Sequence, residues 1–157
     1  MMLSIPFLKL NNYITVSEAD EIIAGCHKGS LSEKWLALSV EEKESIIRTA
    51  TYKVDCLPLK GCKHNANQEL QFPRGMSADI PYKVKLATAE ECIAAIDEEL
   101  LKRTALRQQG VTSVTLGTAT ESYGSSGSSF LSAENILFSR QAYNYMRQYI
   151  IGSVAIV

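Results

Sequence analysis

The sequence predicts a single mainly α-helical domain: a small bundle of four to five helices with a long central loop, a β-strand or hairpin arm before the last helix, and an extended apolar C-terminal tail. Two kinds of observation lead to this prediction. Apolar residues recur at helical spacing behind capping signals in several segments. Between two of those segments lies a polar stretch with two glycines and two prolines, residues 60–81, which we call the central loop. Loops of that length are uncommon in compact domains and are usually functional or disordered.

Composition limits the classes of protein to consider. A chain of 157 residues with 46% hydrophobic content can bury one core, so we expect one domain over 1–157 with a helical core at 12–109. The net charge of -1 gives no global electrostatic reason to bind nucleic acid or an anionic membrane. No stretch approaches the roughly 20 apolar residues that span a bilayer. We therefore expect a soluble protein with no membrane partner.

Two short helical segments open the core. Ser17, with an acid three residues later, is close to a capping box and predicts a helix that Gly25 and Gly29 end. The segment 32–38 adds one or two turns. It carries the only tryptophan, Trp35, which we interpret as a core anchor rather than a platform for a ligand.

Two longer helices flank the central loop. Ser39 and the glutamate three residues later form a full capping box, which predicts a helix to about Leu57. Pro81 then occupies a position that a first helical turn tolerates, and a second helix is predicted from there to about Gln109. The apolar stripe of this second helix consists of Leu86, Ala89, Ile93, Ile96 and Leu100.

The last third of the chain changes character. Residues 110–131 are rich in Val and Thr and then in Gly and Ser, which predicts a β arm with its turn near Gly117, followed by a flexible linker. Ser132 is expected to cap a final helix over 132–149. The ending 150–157 has six apolar residues and no charged side chain. It either packs on its own domain or docks on a neighbouring chain, and the sequence leaves both open.

Catalysis has little support. Only two histidines, His27 and His64, are present, and no nucleophile elbow or cofactor fingerprint accompanies them. Adjacent carboxylates such as Glu90 and Glu91 point in different directions on a helix, so we interpret them as solvated. The protein is predicted not to be an enzyme and to need no cofactor or metal. No zinc-ligand spacing joins the four cysteines, which we interpret as reduced thiols: Cys26, Cys56, Cys62 and Cys92.

Several ordered motifs between Tyr13 and about Leu101 carry a family resemblance. They are Y-I-T-V-S-E-A-D from Tyr13, K-W-x-x-L-S-x-E-E-K-E from Lys34, A-T-x-x-V-D-x-L from Ala50, K-G-x-K from Lys60 and Q-x-L-Q-F-P-R from Gln68. In this order they resemble a tailed-phage family often labelled DnaT-like single-stranded DNA-binding proteins. That family is similar to the head-tail connector proteins, also called adaptor or head completion proteins, of long-tailed phages.

The resemblance implies a structural virion protein. Its subunits would form a ring, a dodecamer, that joins the portal vertex of the head to the tail and completes the DNA channel. The implied partners are copies of the chain, the portal protein, a tail terminator or neck protein, and packaged DNA bound without sequence specificity. The protein would be assembled in the host cytoplasm and reside in the virion neck.

The resemblance also suggests contact residues. Those expected at the portal or subunit interface are Tyr145, Tyr149, Ile150, Ile151, Val154, Ile156, Val111, Val114, Leu116 and Tyr123. Those expected to contact a neighbouring subunit or DNA from the central loop are Lys60, Lys63, Phe72 and Arg74.

The residues of the central loop support a second function. Pro73 restricts Phe72 to extended backbone, so Phe72 is expected to anchor the loop while Arg74 projects. The alternative is a single-stranded DNA-binding protein of phage replication or recombination. Such a protein needs basic residues interleaved with aromatic ones. The candidates for this site are Lys60, Lys63, Arg74, Lys83 and Lys85 with Phe72 and Tyr82.

Overall fold

The computed structural model describes residues 11–109, 113–116, 119–122 and 136–151. Within these residues the chain is mainly helical and forms a small bundle, which confirms the predicted fold class. The helices are α1 (Val16–Cys26), α2 (Ser30–Ala37), α3 (Val40–Asp55), α4 (Tyr82–Ile96), α5 (Glu98–Gln108) and α6 (Arg140–Met146). The strands are β1 (Ser113–Leu116) and β2 (Ala119–Ser122).

Capping boxes fix the starts of α1 and α3. At α3 the Ser39 hydroxyl accepts from the Glu42 backbone and the Glu42 carboxylate accepts from the Ser39 backbone, as predicted. At α1 the cap is Thr15 with Glu18, so the prediction of Ser17 as the cap was wrong. Thr15 has the extended backbone that a cap requires (φ -84°, ψ 166°), whereas Ser17 already lies inside the helix.

The long helix predicted from Pro81 to Gln109 is two helices. The backbone leaves helical geometry at Asp97 (φ -84°, ψ 99°). The Asp97 carboxylate accepts from the backbone N–H groups of Glu99 and Leu100, both at 3.1 Å. It therefore caps α5 as a new helix, an outcome that the uninterrupted apolar stripe does not reveal.

The last helix is also shorter than predicted. The described part of the segment 132–149 is interrupted at residues 137–139, and α6 starts only after Ser139, whose hydroxyl accepts from the Ala142 backbone at 3.2 Å. Ser132, the expected cap, lies outside the described residues. The predicted β arm is present as the antiparallel pair of β1 and β2. Its turn at Gly117 and the Gly/Ser linker lie outside the described residues.

The core of the described residues consists of two clusters, and α4 contributes side chains to both. Trp35 is completely buried in one, together with residues of α1, α3 and α4, and this confirms its interpretation as a core anchor. Its indole N–H donates to Asp20 at 2.7 Å, and the same carboxylate oxygen accepts from the Lys43 ammonium at 3.0 Å. The second cluster joins α4 to α6 and to the central loop through side chains that include Phe72 and Met146.

A buried carboxylate ties the last segment to the bundle. Glu91 on α4 is 0% exposed, so its interpretation as a solvated surface residue was wrong. It accepts from the backbone N–H groups of Phe138 (2.8 Å) and Ser139 (3.1 Å) and from the Lys53 ammonium (3.1 Å). Burial lowers the pKa of Lys53, and the Glu91 carboxylate opposes that change. Because Glu91 bonds the two N–H groups just before α6, the chain cannot continue there as a regular helix.

We predict that Glu91→Ala lowers the free energy of unfolding by about 3–5 kcal/mol, because it leaves the half-buried Lys53 ammonium without its counter-charge and the Phe138 and Ser139 N–H groups without their acceptor. Urea unfolding followed by circular dichroism measures the change. Glu99→Ala, which removes an exposed carboxylate on α5, is the matched control and should change stability by less than about 0.5 kcal/mol. Equal stabilities for the two variants would contradict this role of Glu91.

Candidate nucleic-acid interface

The central loop is fastened to the core at its middle by a hydrogen-bond network. The hydroxyl of buried Tyr13 donates to the Asp55 carboxylate at the end of α3. That carboxylate also accepts from the Gln71 backbone at 2.7 Å, and the Tyr13 oxygen accepts from the Phe72 backbone at 3.3 Å. Burial, and then the bond to Asp55, raises the pKa of Tyr13 well above its usual range. The phenol therefore stays protonated and keeps its donor.

Phe72 anchors the loop, as its sequence context predicts. Its side chain is 3% exposed and packs edge-on against Tyr13 and Tyr149, with ring centroids 5.9 and 5.3 Å away. The peptide bond between Phe72 and Pro73 is cis. A ring held between two others and closed off from solvent cannot stack on a nucleobase, so Phe72 does not belong to a DNA-contacting surface.

Arg74 does not project from the loop, contrary to the prediction. Its guanidinium folds back and donates to the backbone carbonyls of Lys60 (3.0 Å), Leu59 (3.3 Å) and Gly61, and to the Gln71 side chain (2.8 Å). Arginine carries five donors in a rigid fork, and most of them serve here to close one end of the loop.

Lys63 is also committed to the loop. Its ammonium donates to the carbonyls of Gln68 (3.1 Å) and Glu69 (3.3 Å). Across the loop the backbone of Lys63 pairs with that of Arg74 in an antiparallel bridge. Two of the four loop residues expected to contact a neighbour or DNA therefore hold the loop in shape through their charged side chains.

Residues 149–151 lie beside the start of the loop. Ile150 pairs with Leu59 in an antiparallel bridge and is 7% exposed. The Lys60 backbone donates to the Tyr149 carbonyl at 2.8 Å, and the Ile151 backbone donates to the Pro58 carbonyl at 2.8 Å. The tail could pack on its own domain or dock on a neighbouring chain. Ile150, its first residue, packs on its own domain.

The other residues expected at an interface are placed as follows. Tyr145 and Tyr149 are half-buried against the second core cluster, and Ile151 is 58% exposed. Val114 and Leu116 lie in β1. Those that lie outside the described residues are Val111, Tyr123, Val154 and Ile156.

An exposed cationic surface remains beside the loop. Lys60 and Lys83 flank the turn after α6, since the Lys60 backbone bonds Tyr149 and the Lys83 ammonium donates to Gln148 at 3.2 Å. Arg147 is exposed on the same turn, and Tyr82, 64% exposed, precedes Lys83 at the start of α4. We call Lys60, Tyr82, Lys83 and Arg147 the cationic surface.

The sequence identifies only part of this surface. Arg147 lies far from Lys60 along the chain, and the turn that carries it is joined to the start of the loop by the bond from the Lys60 backbone to Tyr149 and by the bridge between Leu59 and Ile150. Lys85, the other lysine in the predicted DNA site, forms an ion pair with Glu18 at 2.6 Å and is half-buried. Of the residues in the predicted site, Lys60, Tyr82 and Lys83 have exposed side chains, and Arg147 is exposed as well.

No group of three or more His, Cys, Asp or Glu side chains that could hold a metal occurs among the residues with described positions. In that same part of the chain, no helix combines the length and apolar character needed to cross a bilayer.

Comparison with known proteins gives one finding. A family model described as "Putative DnaT-like ssDNA binding protein" matches residues 8–152. No curated protein and no solved structure gives a match.

We predict that Tyr13→Phe lowers the free energy of unfolding at neutral pH by about 1–3 kcal/mol, because the buried Phe72 N–H loses its acceptor and Asp55 loses a donor. A raised folded-state pKa stabilises the protein fully below the unfolded-state value of 10.0, and this contribution is lost as pH rises above it. The difference between the variant and the wild type should therefore shrink above about pH 10.

Urea titrations at several pH values measure this difference. Tyr52→Phe, which changes an exposed tyrosine on α3, is the control and should leave stability within about 0.5 kcal/mol of the wild type. A Tyr13→Phe protein as stable as the wild type would exclude the network as the anchor of the loop.

Proposed function

The chain belongs to this DnaT-like family, and we propose from that membership that it binds single-stranded DNA in phage replication or recombination. The observation that carries the proposal is the extent of the family match, residues 8–152, which includes the central loop and the whole helical bundle.

The cationic surface supports this function. Proteins that bind single strands without sequence preference combine positive charge along the backbone path with aromatic rings on which bases stack. Lys60, Lys83 and Arg147 would supply the charge, and exposed Tyr82 would supply the ring. Because Lys63, Arg74 and Phe72 are engaged within the loop, we assign them to the loop scaffold.

We predict that the triple variant Lys60→Gln/Lys83→Gln/Arg147→Gln weakens binding to a labelled oligothymidine. Each phosphate contact on a single strand contributes about 0.7 to the slope of log K against log salt. Loss of three contacts should therefore make that slope shallower by about 2. Fluorescence anisotropy at several salt concentrations measures it.

The control variant removes the same charge elsewhere. Lys28, Lys34 and Lys102 are exposed, and Lys34 lies near Glu98 (3.5 Å) at the start of α5, beyond the far end of α4 from Tyr82. Replacing these three by Gln should leave the slope nearly unchanged. Equal losses in both triple variants, or no binding by the wild type, would refute the assignment.

A second candidate is the head-tail connector subunit implied by the sequence resemblance. The observation that favours it is that large apolar side chains are exposed on several elements of a chain with almost no net charge. A ring of identical subunits needs two different complementary surfaces on each copy. The exposed side chains are Leu36, Val40, Tyr52, Met76, Tyr82 and Ile151.

In this role the protein would be a non-enzymatic virion component at the neck. It would contact copies of itself, the portal protein and a tail terminator or neck protein, with packaged DNA passing through the ring. The start of the tail at Ile150 would lie on its own subunit, and exposed Ile151 would begin the part available to a neighbour.

We predict for this second candidate that the protein copurifies with assembled heads, and that removing 152–157 weakens the association. Truncation after Ile151 keeps the bridge between Leu59 and Ile150, so the domain should retain its stability. Quantitative immunoblotting of purified heads and electron microscopy of the protein with portal measure the association. The Lys28/Lys34/Lys102 variant is the control. Absence of the wild-type protein from heads would exclude the connector role.

A further inference from the structure

A groove of about 410 Å³ lies between α1 and the start of α4. Its lining residues are Glu18, Glu21, Ile22, Tyr82 and Lys85. The volume falls in the range of about 300–1,000 Å³ typical of small-ligand sites. One of these residues, Tyr82, also belongs to the cationic surface.

Two of the charged side chains in the groove neutralise each other. The Lys85 ammonium donates to one carboxylate oxygen of Glu18 at 2.6 Å. The other oxygen of Glu18 accepts from the Thr15 backbone at 2.9 Å and from the Thr15 hydroxyl at 3.2 Å. Glu18 and Lys85 therefore form a fixed, neutral part of the lining.

The Glu21 carboxylate and the Tyr82 ring are available to contact a ligand. Glu21 is exposed on α1 and has no hydrogen-bond or ion-pair partner within the described part of the chain. Its carboxylate can only accept hydrogen bonds when ionised. Tyr82 presents an aromatic ring that is 64% exposed. The groove thus offers a stacking face together with a pair of acceptor oxygens.

We propose that this groove holds a guanine base of a bound single strand, with the base stacked on Tyr82 and its N1–H and N2–H groups donating to the Glu21 carboxylate. This inference rests on the proposed function and adds a base preference to it. Single-stranded bases are commonly read in this way, by stacking together with hydrogen bonds to the Watson–Crick edge.

The choice of guanine follows from the donors on each base. The Watson–Crick edge of guanine carries two adjacent donors, which match the two acceptor oxygens of a carboxylate. Adenine and cytosine place a ring-nitrogen acceptor beside their amino group, and thymine places carbonyls on both sides of its single N–H. Each of these would set an acceptor against the acceptors of Glu21.

The charges in and around the groove favour different positions for the base and the phosphate of a bound nucleotide. Once Glu18 and Lys85 have paired, the remaining charge is that of Glu21, which repels a phosphate. Lys83 is exposed at the next position of α4, and its ammonium lies within 3.2 Å of Gln148 at the turn after α6. The phosphate of the stacked nucleotide would lie on that side of Tyr82, away from Glu21. The backbone would then follow the cationic surface while the base turns into the groove.

The experiment compares oligothymidines that differ only in a central nucleotide: guanosine, inosine or thymidine. The guanosine strand should bind about tenfold more tightly than the thymidine strand, within the usual range for a bidentate base contact. Inosine lacks the N2 amino group and should lose most of the preference. Glu21→Ala should abolish the preference, whereas Glu33→Ala, an exposed glutamate on α2, should preserve it. Tyr82→Phe should also preserve it.

The outcomes separate this inference from the proposed function. Equal affinity for the three strands would overturn the guanine site and leave single-strand binding in place. A wild-type protein that binds none of the strands would overturn both. The alternative occupant of the groove is a protein, since an arginine guanidinium presents a pair of N–H donors similar to those of guanine, and an arginine-containing peptide is the probe for it. If that peptide perturbs the Tyr82 ring resonances and the strands show no base preference, the groove is a protein-docking site and the guanine assignment is wrong.

Discussion

The structure depends on one constraint: a long polar loop packed on a hydrophobic core must satisfy its backbone hydrogen-bonding groups. The central loop meets this requirement with charged side chains. Asp55 accepts from the Gln71 backbone. Arg74 donates to two loop carbonyls and to that of Leu59 just before the loop, and Lys63 donates to two more loop carbonyls. The side chains that most suggest contact with an anionic partner are therefore those that the loop needs for its own shape.

The same requirement explains the ends of the helices. The Asp97 carboxylate accepts from two backbone N–H groups at the start of α5. The Glu91 carboxylate accepts from two others just before α6, so that α6 begins after them. In the second case the carboxylate is fully buried, and its burial is tolerable because these N–H groups and the Lys53 ammonium, 3.1 Å away, all donate to it. Lys53 in turn covers the Phe138 ring, so α3, α4 and the segment before α6 are joined at one point.

The residues that remain free define the functional hypotheses. With Arg74, Lys63 and Phe72 used internally, exposed positive charge near the loop is concentrated around the turn after α6, next to Tyr82. This arrangement fits a single strand running over a small surface better than a duplex held along a broad basic face. Apart from Tyr82 and Ile151, the exposed apolar side chains named above lie on α2, on α3 and in the central loop, and a ring subunit would use them.

The sequence by itself determined the helical class, the cap of α3, the core position of Trp35 and the burial of Phe72, because each depends on local spacing or on the strong preference of a large ring for the interior. It also located the central loop, since both flanking helices are clearly periodic. Only the tertiary structure decided that Glu91 is buried, that Arg74 folds inward and that the turn carrying Arg147 is bonded to the Lys60 backbone. The reason is physical: the partners of these charges are backbone groups and side chains distant in sequence, and no local pattern records which of them a folded loop brings within hydrogen-bonding distance.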